Sequence, residues 1–332
     1  MATHLPPDSS LGPTLLVSCW TMDGIATAAV VLRLLAAGFV LRKFTLPDYL
    51  MAAALPLALL NRVILTINEQ RAGLGQHMEY LTLAQISETL KWIIIGEPWR
   101  IASLTLGRLS ITFYLFSLCM NDTPKRIILH TCVWLNIISN FGGILFILTA
   151  CGTHFSANWK LPPPPGVKCA PVPSIIHYGY FQGVANTVID LTLAILPVFL
   201  VWNLQLALKI KVGVVALLGA SLLAAVASIV KTVKVTFLTN NQISYNFASY
   251  AIWYTVENDI VLAAGSAPLI KALFSARKRA SRHDACAATD PTGSPGRIFQ
   301  PHRDDKSVGS VSHEQVEVSG LELEDRSLEE TV

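Results

Sequence analysis

The sequence has few charged residues, and acidic residues are especially scarce outside its C-terminal end. Asp, Glu, Lys and Arg make up 14% of the 332 residues and apolar residues 52%, whereas an average soluble protein is about 25% charged. Only eleven of the 22 acidic residues precede Ser275. This composition excludes a soluble globular enzyme and a nucleic-acid-binding protein that relies on a basic surface. It predicts an integral membrane protein whose main partner is the lipid bilayer.

Two further absences narrow the class of protein. The six cysteines are spread along the chain without the spacing of a metal site, so we expect no bound metal. The first 14 residues contain two adjacent prolines and no Lys or Arg, so they lack the charged start of a cleavable signal peptide. We therefore expect residues 1–14 to be a short extracellular or lumenal N-terminus, followed by a retained membrane anchor.

Seven apolar runs are present, each close to the roughly 20 residues that a helix needs to cross the hydrocarbon core of a bilayer. They cover residues 15–41, 48–67, 96–119, 127–150, 178–203, 212–238 and 249–273. The predicted fold class is therefore all-α, with a seven-transmembrane helix bundle at residues 15–274. Residues 275–332 are rich in Ser, Gly and charged side chains and poor in aromatic ones. That composition predicts a disordered tail.

The distribution of Lys and Arg around the apolar runs predicts the orientation. Eleven basic residues flank the runs on the side of the C-terminal tail and four flank them on the other side. By the positive-inside rule, we expect a multi-pass protein of the endomembranes or plasma membrane with a cytosolic tail and an external or lumenal N-terminus. The sequon at Asn121 then lies in a cytosolic loop, where we expect no glycan. Cys151 and Cys169 lie in a non-cytosolic loop, where oxidising conditions favour a disulfide between them.

Ionisable side chains inside the apolar runs indicate a polar interior. Each costs about 2.5–3.5 kcal/mol on insertion scales and so usually faces the inside of the bundle. Helical spacing puts Asn186 and Asp190 on one face, and Trp253 and Glu257 on another. Together, the ionisable side chains predict a polar cavity that opens to the exterior or lumen. It is lined by the second, third, fifth, sixth and seventh runs. The candidate ligand-binding residues are Arg62, Arg100, Arg108, Asn186, Asp190, Lys231, Trp253 and Glu257.

Two interpretations of these residues remain open at this point. Each residue taken alone fits an ion pair or hydrogen bond that only holds the helices together. The number of charges favours a site, because a helix pair needs only one or two polar contacts. In a site, Asp190 and Glu257 are the candidate catalytic residues, since buried carboxyl groups serve as general acids. The sequence leaves open whether any reaction takes place.

Several short motifs resemble those of the fungal rhodopsin-like integral membrane family. They are Gly73-Leu74-Gly75-Gln76-His77 after the second run, Arg108-Leu109-Ser110 in the third, Trp159 between Cys151 and Cys169, Asn186…Asp190…Pro197 in the fifth, and Trp253…Glu257…Pro268 in the seventh. The family includes orphan receptor-like proteins and integral membrane proteins of satratoxin-type biosynthetic gene clusters. The resemblance implies a seven-helix fold and a fungal origin. Pro47-Asp48-Tyr49 and Ser117-Leu118-Cys119 depart from the family pattern at the cytosolic ends, which weakens any inference of signalling.

A retinal protein needs a lysine near the middle of its last span, and this sequence has none there. Lys271 lies beyond Pro268 at the cytosolic edge, so we expect no retinal and no other cofactor. The sequence favours a membrane component of a fungal secondary-metabolite, mycotoxin-type pathway that binds a lipophilic intermediate, and it leaves open whether the protein also transforms that intermediate. Other pathway enzymes are candidate partners, and nucleic acid is not. The alternatives are an orphan receptor for an external ligand and, third, a transporter, although no internal repeats are visible.

Overall fold

The structure, a computed structural model, describes residues 10–118, 123–152, 154–161, 164–202, 208–235 and 242–288. Within these residues it contains seven α-helices and no strand, which confirms the all-α prediction. The helices are α1 (Gly12–Leu35), α2 (Leu46–Ala72), α3 (Leu83–Leu118), α4 (Thr123–Thr149), α5 (Val172–Trp202), α6 (Leu208–Val235) and α7 (Ile243–Ala288). A π-helical turn at Ala36–Leu41 extends α1, and short 3-10 turns cover Met78–Tyr80 and Phe155–Asn158.

Helix α3 begins 13 residues before the predicted run at residue 96. Thr82 and Gln85 cap its first turn: the Gln85 side chain accepts from the Thr82 backbone N–H at 2.9 Å, and the Thr82 hydroxyl accepts from the Gln85 backbone N–H at 3.3 Å. This is a capping box, which stabilises a helix start. Glu88 and Lys91 interrupt the apolar pattern in this first part, which is why hydropathy alone predicted a later start. The additional turns supply one wall of the cavity described below.

Helix α7 ends at Ala288, whereas the tail was predicted to begin at residue 275. The segment 275–288 is rich in Ala, Arg and Lys, which are strong helix formers even where no apolar run is present. The chain divides into two compact units at Asp284, and the helices up to that point belong to the first. Residues 1–9 of the predicted N-terminus, Asn121 of the sequon and residues 289–332 of the predicted tail lie outside the described residues.

The helices carry large apolar side chains on their exposed faces and charged side chains on their buried ones. On α4, Trp134, Ile138 and Phe141 are 58–62% exposed, while Arg62 and Arg108 are among the largest fully buried side chains. This is the reverse of a soluble protein and matches a bundle surrounded by lipid. Among the described residues, three helical segments are long and apolar enough to cross a membrane: Gly12–Phe39, Leu46–Ala72 and Thr123–Thr149.

The Gly73–His77 motif forms the turn that docks the end of α2 against the N-terminus and α7. The Gly75 carbonyl accepts a hydrogen bond from the Leu11 N–H at 3.0 Å, and its own N–H donates to the Ser244 hydroxyl at 3.1 Å. His77 stacks on Tyr245, with the ring centroids 4.3 Å apart. The motif therefore joins three segments that are distant in sequence at one end of the bundle.

A disulfide between Cys151 and Cys169 closes the loop between α4 and α5. The Ala170 N–H donates to the Ala150 carbonyl at 2.6 Å, which pairs the two ends of the loop beside the bridge. The Ser87 hydroxyl of α3 donates to the Trp159 carbonyl at 2.6 Å. The loop is thus tied both to itself and to α3.

We expect Gly75→Ala to lower the free energy of unfolding by about 1–3 kcal/mol, because Gly75 has φ +96° and an added Cβ would lie 2.7 Å from the Gly12 backbone nitrogen. Gly24→Ala in α1 is the control, since nothing lies within 4 Å of a Cβ added there. Thermal unfolding of both variants in detergent measures the effect. Equal melting temperatures for the two variants would contradict the docking role of Gly75.

Candidate ligand-binding site

Arg108 of α3 lies at the centre of a buried ionic network. Its Nε and Nη2 donate to the two carboxylate oxygens of Asp190 in α5 at 2.9 and 2.7 Å. Nη2 also donates to Glu257 Oε1 in α7 at 2.6 Å. The Arg108 and Glu257 side chains are fully buried. A bidentate arginine–carboxylate pair is both strong and geometrically specific, so Arg108 holds α5 and α7 in a defined position relative to α3.

Lys231 completes this network from α6. Its Nζ donates to Glu257 Oε2, on the side of the carboxylate that Arg108 leaves open. The four residues carry two positive and two negative charges, so the network is neutral as a whole. A neutral, hydrogen-bonded set is the form in which charges are tolerated inside a bundle. We call Asp190, Arg108, Glu257 and Lys231 the central network.

A second ionic group joins α1, α2 and α7 around Arg62. The guanidinium forms a bidentate pair with Asp23, and its Nη1 donates to the Thr255 hydroxyl at 2.7 Å. Asp259 lies farther away, 3.9 Å from Arg62 Nη2. Closer to the other end of α1, Arg33 pairs with Asp48 at 2.9 Å and donates to the carbonyl of Gly265. Both arginines therefore connect the first two helices to α7.

Side-chain amides connect α4 to its neighbours. Asn140 of α4 exchanges hydrogen bonds with Asn186 of α5 and accepts one from Gln182 Nε2 at 2.9 Å. Asn136, one turn away, donates to the Thr105 carbonyl of α3 at 3.1 Å. Together with the two ionic groups, these amides link all seven helices through buried polar contacts.

A cavity of about 410 Å³ opens at the end of the bundle that carries the disulfide loop. This volume is within the range of small-molecule sites. Its walls come from the first parts of α3, α5 and α7 and the last parts of α4 and α6, with Asn158 of the loop at the mouth. Most of the wall is apolar, and its larger apolar side chains include Leu90, Ile93, Ile94, Phe146, Ile147 and Phe247.

The deep end of this cavity is polar. On α5 and α7 the lining residues farthest from the mouth are Gln182 and Tyr250, and α3 contributes Glu97 and Arg100 at this depth. Arg100 donates to Glu97 Oε2 from Nε at 2.8 Å and from Nη2 at 2.5 Å. We call Glu97, Arg100, Gln182 and Tyr250 the polar floor. An apolar wall above a polar floor suits a lipophilic molecule with one polar end.

The predicted site residues lie in several different parts of the bundle. Arg108, Asp190, Lys231 and Glu257 form the central network, Arg62 belongs to the second ionic group, and Asn186 belongs to the amide group. Trp253 is half-buried on α7. Arg100 is the predicted residue that appears among the described lining residues of the cavity. The charges predicted to line one cavity therefore lie mostly beside and below it, because charged side chains in a dry interior pair with each other.

Several residues of this region were not among the sequence candidates. Asp23 was missed although it is an ionisable residue inside the first apolar run, and the rule that identified Arg62 also applies to it. Gln182 and Tyr250 carry no formal charge, so no comparable sequence signal identified them. Glu97 is three residues before Arg100, a spacing that brings the two side chains together on a helix.

Removing one partner of the central network should be costly. We expect Glu257→Gln to lower the free energy of unfolding by about 3–5 kcal/mol, because it leaves the Lys231 ammonium buried without a counter-charge. The double variant Glu257→Gln/Lys231→Met restores neutrality and should recover most of this loss. Membrane abundance and the melting temperature in detergent measure both effects.

The exposed Glu79→Gln is the control and should change stability by less than about 0.5 kcal/mol. Wild-type stability of the single Glu257→Gln variant would show that the network does not hold the bundle together.

The model of the fungal rhodopsin domain matches residues 32–276 of this chain. A polyenoic acids biosynthesis gene cluster protein of Metarhizium anisopliae is 26% identical over 191 residues, which are 56% of this chain and 50% of the relative. The match thus spans about half the length of that relative. No solved structure is significantly similar. Because the family model covers far more than half of the sequence, the chain belongs to the fungal rhodopsin domain family.

Proposed function

We propose that this protein binds a small lipophilic molecule in the cavity lined by α3, α4, α5, α6 and α7. We also propose that it is a membrane component of a fungal secondary-metabolite pathway. The observation that carries the proposal is the cavity itself: about 410 Å³, with an apolar wall and a polar floor. The name of the Metarhizium relative, which refers to a polyenoic acids biosynthesis gene cluster, supports the pathway assignment.

The geometry favours binding over catalysis at the two carboxylates singled out from the sequence. Asp190 accepts two hydrogen bonds from Arg108, and Glu257 is held between Arg108 and Lys231. A general acid or base must lie within hydrogen-bond reach of the reacting group. Neither carboxylate is among the described lining residues of the cavity. In our proposal both residues position the helices, and the polar floor contacts the ligand.

The side chains do not fit a bound retinal, despite the name of the family. A retinal Schiff base needs a lysine amine next to the chromophore. The described lining of the cavity includes no lysine. Lys231, which lies in the neighbouring network, donates to Glu257. The ligand we propose is therefore held by non-covalent contacts.

We also propose that all seven helices cross the bilayer, with the cavity mouth outside or in the lumen and the C-terminal tail in the cytosol. In the part of the chain that the structure describes, three helices are long and apolar enough to cross a membrane. On α5 and α6, Phe181, Val184 and Leu223 are 51–61% exposed, as expected of lipid-facing side chains. The excess of Lys and Arg at the end opposite the disulfide loop supports this orientation.

Filling the cavity tests the proposed binding. Ile147 of α4 lines the cavity, whereas Ile138 of the same helix is 62% exposed. In a fungal strain that lacks the gene, we expect Ile147→Trp to leave the pathway product missing and Ile138→Trp to restore it. Metabolite profiling of both strains by mass spectrometry measures the result, with membrane abundance as the check on folding. Full product from a well-expressed Ile147→Trp variant would contradict ligand binding in this cavity.

The sequon at Asn121 tests the orientation. It precedes α4 in the sequence, and the first residues of α4 lie at the end of the bundle opposite the disulfide loop, so we expect Asn121 to carry no glycan. A sequon introduced by Lys160→Asn and Pro162→Thr, in the disulfide loop, should be glycosylated. Endoglycosidase treatment followed by gel electrophoresis distinguishes the two cases, and a glycan at Asn121 would show that the orientation is inverted.

A further inference from the structure

The ion pair in the cavity floor places a tight constraint on what the cavity can bind. Arg100 and Glu97 lie one helical turn apart on α3, and two nitrogens of Arg100 donate to the same carboxylate oxygen. The guanidinium also lies 4.8 Å from the centre of the Tyr254 ring, a cation–π contact that fixes its position. The Arg100 side chain is 6% exposed and the Glu97 side chain 13%. Both therefore lie in a poorly hydrated part of the cavity.

The charges of the floor cancel. Glu97 and Arg100 are the only Asp, Glu, Lys, Arg or His residues among the described lining residues. The neighbouring central network is neutral as well, since Arg108 and Lys231 are matched by two carboxylates. A ligand with a charged head group would add an uncompensated charge to a site of low dielectric constant, which is strongly unfavourable.

The uncharged groups of the floor favour a head group that forms hydrogen bonds. Gln182 supplies an amide and Tyr250 a phenol, and both can donate and accept. A hydroxyl group also does both, and its burial costs little once it is hydrogen-bonded. The long apolar wall between the floor and the mouth accommodates the remainder of the molecule.

Building on the proposed ligand binding, we infer that the cavity selects a lipophilic molecule with an uncharged, hydroxyl-bearing head group, and that Glu97 enforces this selection by neutralising Arg100. In this arrangement Glu97 excludes anions, whereas an unpaired Arg100 would attract them. Glu97 is thus a specificity-determining residue of the site. The ion pair explains why an arginine can lie in an apolar cavity without making it an anion site.

Three photoreactive probes of equal chain length test this inference. They carry a diazirine in the alkyl chain and a hydroxyl, sulfonate or trimethylammonium head group. The full-length protein in phosphatidylcholine nanodiscs is labelled with each, and the modified peptides are mapped by mass spectrometry. In the wild-type protein we expect the alcohol to label cavity peptides of α3, α4 and α5 at least ten times more strongly than either charged probe.

Two substitutions should change the preference in opposite directions. Glu97→Gln leaves Arg100 unpaired, so labelling by the sulfonate should rise at least tenfold. Arg100→Gln leaves Glu97 unpaired, so labelling by the trimethylammonium probe should rise instead. Because the two variants should gain labelling by different probes, the test remains informative if one of them folds poorly. The exposed Glu79→Gln should keep the wild-type preference, and Ile147→Trp should reduce cavity labelling by all three probes.

The outcomes separate the inference from the proposed function. Equal labelling of the wild-type cavity by the sulfonate and the alcohol, or unchanged preferences in both floor variants, would overturn the role of Glu97 while leaving ligand binding in place. Labelling of lipid-facing peptides alone, with none in the cavity by any probe, would overturn the proposed function and the inference with it.

Discussion

The structure depends on the need to neutralise charged side chains that are buried inside the bundle. Arg108 meets this need for three helices at once, because one planar guanidinium contacts Asp190 and Glu257 together. Lys231 then balances the second carboxylate from a fourth helix. Apolar packing against lipid provides little preference for one helix arrangement over another, so directional polar contacts determine which helices are neighbours. The central network does this for α3, α5, α6 and α7.

Because buried charges must be neutralised, most charged side chains pair with each other and lie apart from the cavity. Most of the ionisable side chains described in the interior are paired with each other, although Arg108 Nη1 and Asp259 Oδ2 are buried without a hydrogen-bond partner. The cavity lies instead between α3, α4, α5, α6 and α7 at the end of the bundle that carries the disulfide loop, and its described lining includes a single ion pair, Glu97 with Arg100. In our proposal, a lipophilic ligand gains from apolar contact along the wall, and the neutral floor determines which polar end is accepted.

The family motifs acquire distinct physical roles in this arrangement. The glycines of the Gly73–His77 motif permit a left-handed turn and a close approach of the N-terminus, while His77 stacks on Tyr245 of α7. Asp48, at a position where the sequence departs from the family pattern, caps α2 and pairs with Arg33 of α1. These residues shape the bundle at its two ends, while the central network holds its middle. Their described contacts therefore support the scaffold and touch none of the polar floor.

The sequence by itself determined the helical class and the number and order of the helices, because hydropathy and capping patterns act over a few turns of chain. It also identified Arg108, Asp190, Lys231 and Glu257 as interior residues, since a charge inside an apolar run has no other stable place. Tertiary structure alone decided that these four bind each other and that Glu97, Gln182 and Tyr250 meet at the cavity floor. The pairs of the central network join residues far apart in the sequence, and Arg108 and Glu257 are 149 positions apart. Which distant residues meet depends on how the helices pack, and no local pattern in the sequence encodes that packing.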